Sequence, residues 1–142
     1  MNVTYLSPLR VEAMDDENTW RLIEDFKVQV DGGNPDPVIY VVPAGFVTDF
    51  ASVPRLPLIY LWLGGKCHRA AVIHDWLYSA GSVPREYADE VFAAGARASG
   101  QPEAVVEAMY AGIRLGGESH FAGKKKTGPR FMNSDGILEE ST

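Results

Sequence analysis

The hydrophobic period of this chain changes once, and that change limits the folds open to it. Up to about Asp49 the pattern reads as β, with apolar residues alternating or in short β-branched runs. In "TWRLIEDFKVQV", Trp20 and Leu22 alternate with polar neighbours, and Phe26, Val28 and Val30 repeat the pattern. "VIYVVP", Val38 to Pro43, is a short run with β-branched residues, preceded by the turn cluster "DGGNPDP". A period of two means strands with one buried face, so this region predicts a small antiparallel sheet. From about Lys66 the period becomes helical and glycine and proline punctuate it. The spacing predicts one helix from Lys66 to Ser79, stopped by Gly81. A second starts at Pro84 and runs to Ser99, before Gly100, and a third starts at Pro102 and ends at Gly116-Gly117. Proline suits the first turn of a helix and glycine the position just past its end.

The second helix has an apolar side of Tyr87, Ala88, Val91, Phe92, Gly95 and Ala96, and the third a stripe of Val105, Ala108, Met109, Gly112 and Ile113. Small residues in both stripes allow close helix–helix approach. Short connections make neighbouring helices antiparallel. Between the two halves, Pro43, Pro54 and Pro57 remove backbone donors and favour extended geometry before them. An ordered loop is expected there, followed by a short helix or strand at Leu58 to Leu63. The expected fold class is therefore α+β: a small antiparallel N-terminal sheet, a three-helix antiparallel cluster and a polar C-terminal tail. Residues 1–122 should form one domain. Residues 123–142, with the composition of "GKKKTGPRFMNSDGILEEST", should form a tail that is flexible unless a partner holds it.

Charge and composition narrow the function classes. A formal net charge of -6 argues against nucleic-acid binding, which needs a basic face to displace counterions. The one basic run, Lys124-Lys125-Lys126, lies in the polar tail. Cys67 is the single cysteine, so no intrachain disulfide can form, which fits a reducing interior or a particle assembled there. The N-terminus lacks a basic start followed by an apolar stretch, so a secretion signal is not expected. The run from Leu56 to Leu63 falls far short of the ~20 residues a membrane span needs.

Chemistry concentrates in "AAVIHDWLYSAG", residues 70 to 81. Ala70, His74 and Tyr78 are spaced by four and share one helix face, and Asp75 is turned about a hundred degrees from His74. Ile73, Trp76 and Leu77 make the helix apolar nearly all round, so His74 and Asp75 should be at least partly buried and must be paired, metal-bound or neutralised. An antiparallel hairpin of the first two helices would bring Asp89 beside His74. A carboxylate on one imidazole nitrogen leaves the other as a base. Asp49, in the loop "FVTDFASVP", is a third carboxylate near this group in sequence logic. Asp75 and Asp49 are candidate ligands for a hard cation such as calcium. The same residues fit a structural reading, in which His74 and Asp75 bridge backbone groups and Asp49 fixes the loop turn. Cys67 and His68 are adjacent and diverge on a helix, and no paired zinc-ligand spacing appears.

"VPAGFVTDFASVPR", "AAVIHDWLYSAG" and "REYADEVFAAGAR" together resemble the small phage and prophage family catalogued as domain of unknown function 1353. The resemblance covers about Trp20 to Gly117. It implies a phage or prophage origin, with the host cytoplasm during assembly and then the virion as the location. "HDWLY" followed by "ADEVF" is also similar to the His-Asp-x-x-Tyr and Ala-Asp pattern of phospholipases A2. That resemblance implies His74 as the base activating water, Asp75 as a calcium ligand, and Tyr78 and Asp89 as groups orienting the histidine. The glycine-rich calcium loop and the disulfides of the secreted enzymes have no counterpart here.

Two readings follow. The first is a non-catalytic virion-associated component of tail or head, without cofactor, whose partners are other phage structural proteins or further copies of itself. The second is a small calcium-assisted hydrolase of phospholipids or other cell-envelope bonds, with His74 as general base. The first expects His74 sealed; the second expects one imidazole nitrogen open to solvent.

Overall fold

The computed structural model describes residues 1–16, 19–32, 34–48 and 67–116, together with two strands at 130–132 and 138–140. The architecture is α+β, with strands first and three helices after them. The sheet region is richer than expected. It holds six strands: β1 (Asn2–Tyr5), β2 (Val11–Ala13), β3 (Trp20–Leu22), β4 (Phe26–Asp31), β5 (Val38–Val42) and β6 (Val47–Thr48). They form two three-stranded antiparallel sheets, ordered β1-β4-β5 and β2-β3-β6, in place of the one sheet expected.

The two sheets have a common origin. Three chain segments lie antiparallel, and each breaks between its two strands. Pro8 lies in the first break, and a proline cannot donate to a ladder. The third break contains Pro43 and Gly45, whose φ of 92° is open to glycine and strained for other residues. The middle break is held from its neighbours. Ile23 N–H donates to the Arg10 carbonyl at 3.1 Å, and Gly45 N–H donates to the Leu22 carbonyl at 2.7 Å. The Asp25 carboxylate accepts from Ala44 N–H at 2.8 Å. Along β4 the alternation is as expected: Phe26, Val28 and Val30 are buried, and Lys27 between them is exposed.

The helices are α1 (His68–Ala80), α2 (Arg85–Ala98) and α3 (Glu103–Gly116). Each lies within about two residues of its expected bounds. Gly81 ends α1 in the left-handed conformation, with φ of 61° and its N–H bonded to the Leu77 carbonyl at 3.0 Å. The end of α2 is a Schellman motif: Gly100 N–H reaches the Arg97 carbonyl and Gln101 N–H reaches the Ala96 carbonyl. Gly100 takes φ of 88° there. Pro84 stands at the N-cap of α2, one position before the helix.

One apolar core runs from Val3 on β1 to Ile113 on α3. The middle helix, α2, packs against α1, α3 and β1. Tyr5 on β1 donates its hydroxyl to the Gly95 carbonyl on α2 at 2.8 Å, stacks on Phe26 and lies under the Arg69 guanidinium. Gly95 also faces Ala70 on α1: a methyl group at Gly95 would stand 2.8 Å from the Tyr5 hydroxyl and 3.1 Å from the Ala70 Cβ. The small-residue stripe therefore permits the close approach its sequence suggested. Gly95→Ala gains roughly 1 kcal/mol of helix propensity but overpacks this contact at a cost of roughly 1–3 kcal/mol. A lowered thermal midpoint is expected, and a raised one would contradict the tight seam.

Strands β7 (Arg130–Met132) and β8 (Leu138–Glu140) pair antiparallel within the segment expected as a tail. The rest of that tail lies outside the described residues. So do the middle loop with Asp49 and the short element expected at Leu58 to Leu63. No helix among the described residues is long and apolar enough to cross a membrane.

Candidate functional site

The antiparallel hairpin of α1 and α2 places Asp89 opposite the His74 face. Asp89 is the centre of the site. His74 Nε2 lies 2.7 Å from Asp89 Oδ1, and the Tyr78 hydroxyl donates to the same oxygen. The other oxygen, Oδ2, accepts from Arg114 Nη1 on α3 at 2.7 Å. Arg85, four residues before Asp89, approaches Oδ2 at 3.9 Å. Arg85 also donates to the Tyr78 hydroxyl at 3.2 Å and to the Ile113 and Arg114 carbonyls at 3.0 and 2.6 Å. It thus binds the C-terminal end of α3, where the helix presents unpaired carbonyls and negative potential.

Burial and charge decide what this cluster is. The side chains of His74 and Asp89 are both 0% exposed. Burial alone pushes the Asp89 carboxyl up, but hydrogen bonds from His74, Tyr78 and Arg114 outweigh it and hold the group below its usual range. Asp89 is therefore a carboxylate, which only accepts hydrogen bonds. Its partner nitrogen, His74 Nε2, must then carry the proton. Burial, and then the bond to Asp89, push the Tyr78 phenol far above its ordinary value. The His74 ring packs tilted against Tyr78, with centroids 4.1 Å apart, and edge-on to Phe92 at 5.3 Å. One buried anion on α2 thus takes donors from α1 and α3, with the Arg85 guanidinium of its own helix 3.9 Å away.

Three of the expected site residues, His74, Tyr78 and Asp89, meet in this cluster. Asp75 is part-buried on the adjoining flank of α1 and is not among the groups bonded to Asp89. Asp49, the second expected calcium ligand, lies outside the described residues. Among the described residues, no three His, Cys, Asp or Glu side chains are grouped to hold a metal ion. Calcium takes 6–8 oxygen ligands, and the described part of the expected set supplies the Asp75 carboxylate alone. Cys67 is buried, and burial raises its thiol, the reverse of an activated nucleophile.

Sequence reasoning missed Arg85 and Arg114. Both left a signal. Arg85 stands at the i,i+4 spacing from Asp89 on the same helix. Arg114 sits in the last turn of α3, which an antiparallel hairpin returns to the start of α2.

Comparison with known proteins gives one match. The family model described as "Protein of unknown function (DUF1353)" covers residues 20–113, from β3 to the last turn of α3. No curated protein and no solved structure matches the chain.

Proposed function

The chain belongs to the DUF1353 family, and on that premise we propose that it is a non-catalytic component of a phage or prophage particle, associated with tail or head. The cluster around Asp89 is its structural lock. One observation carries the non-catalytic reading: His74 and Asp89 are fully enclosed, and protein donors occupy both carboxylate oxygens. A general base must reach the proton it abstracts, and a ring with no exposed surface meets no substrate. The phage context rests on the "TDFASVP" and "HDWLY" signatures. Its partners on this reading are other particle proteins or further copies of the chain. An antibody against the protein should find it in gradient-purified particles from cells carrying the gene. Detection in the unassembled fraction alone would remove the virion assignment.

The hydrolase reading keeps one specific observation in its favour. His74, Tyr78 and Asp89, the residues that the phospholipase resemblance pairs, are joined by hydrogen bonds from His74 Nε2 and the Tyr78 hydroxyl to Asp89 Oδ1. Calcium held by Asp75 and Asp49 would polarise the ester carbonyl. Thermal unfolding in chelator and then in millimolar calcium separates the two readings, since a ligand of the native state must raise the melting temperature. The structural reading expects equal midpoints and no release of fatty acid from phospholipid vesicles. A calcium-dependent rise in the wild type that vanishes in Asp75→Asn would establish the hydrolase instead.

His74→Ala gives a second discriminator. Removing the imidazole takes one donor from a buried carboxylate and should cost ~1–3 kcal/mol. Urea unfolding reads this as a lower midpoint. An unchanged midpoint would count against a lock and for a site held at little stability benefit.

A further inference from the structure

We draw no further inference here: the strongest candidate, the exposed apolar side chains Leu6, Ile23 and Val47 on the strand-bearing half of the fold, carries nothing because nothing in the structure shows what covers it.

Discussion

Asp89→Ala is expected to lower stability by about 3–5 kcal/mol, the cost of removing one partner from a buried ionic cluster. The carboxylate accepts from His74 Nε2, the Tyr78 hydroxyl and Arg114 Nη1, with the Arg85 guanidinium 3.9 Å away. Its loss leaves the His74 N–H and the Tyr78 hydroxyl without their acceptor in a closed interior. The two guanidiniums lose their counter-charge, but not equally. Arg114 keeps 35% of its side chain exposed and can turn to water, whereas Arg85 keeps 17% and stays tied to the α3 carbonyls. This partial escape puts the expected loss nearer ~3 kcal/mol than the upper end. Asp89→Asn should cost less than the alanine variant, since the amide oxygen still accepts a hydrogen bond.

Acid titration gives the same cluster a second readout. The Asp89 carboxyl is held below its ordinary value in the folded protein. The unfolded chain therefore takes up a proton at higher pH than the native one. The contribution of Asp89 is fully present above the unfolded carboxyl value of about 3.9. It fades as pH falls from there through the lower folded value. Wild-type stability, followed by urea midpoints from neutral pH downward, should drop in that window. Asp89→Asn should show a shallower drop. Parallel curves for the two proteins would mean that this carboxylate is not the one whose protonation matters.

Phe92→Ala is expected to cost about 3–5 kcal/mol for a different reason, cavity formation. Phe92 is wholly enclosed and lies on α2, the helix in contact with both other helices and with β1. Its ring edge is packed against the His74 imidazole. Neighbours anchored by hydrogen bonds to Asp89 cannot readily collapse into the vacated space, which favours the upper part of the range. Phe92→Leu keeps much of the volume and should lose less than ~1.5 kcal/mol. Urea unfolding of both variants tests this through the midpoint at unchanged slope. Equal losses for leucine and alanine would show that the aromatic contact with His74, and not the volume, carries the effect.

Much of this fold was legible before any coordinates. Phe26, Val28 and Val30 announced β4 by alternation, and Val38 to Val42 announced β5. Gly81, Pro84, Gly100 and Pro102 marked the helix boundaries because proline and glycine act through the local backbone alone. Strands β1, β2 and β6 were harder to read. They hold four, three and two residues, too few for a period to declare itself. Their conformation is fixed by the strands they pair with. The division into two sheets had the same cause: three breaks must fall at one level, which is a relation between segments and not a property of any one.

The site divides along the same line. Residue spacing alone put His74 and Tyr78 on one face of α1. The short connection after Gly81 put Asp89 opposite them, because a two-helix hairpin has few ways to close. The sequence also required a partner for any charge buried on so apolar a helix. Which partner, and how complete the burial, only the tertiary structure decided. Asp89 draws on His74 from 15 positions away and on Arg114 from 25, and the enclosure of His74 to 0% is the work of neighbours outside its own helix. Local sequence sets backbone preference at short range, whereas desolvation and the count of donors on one carboxylate depend on every segment packed around it.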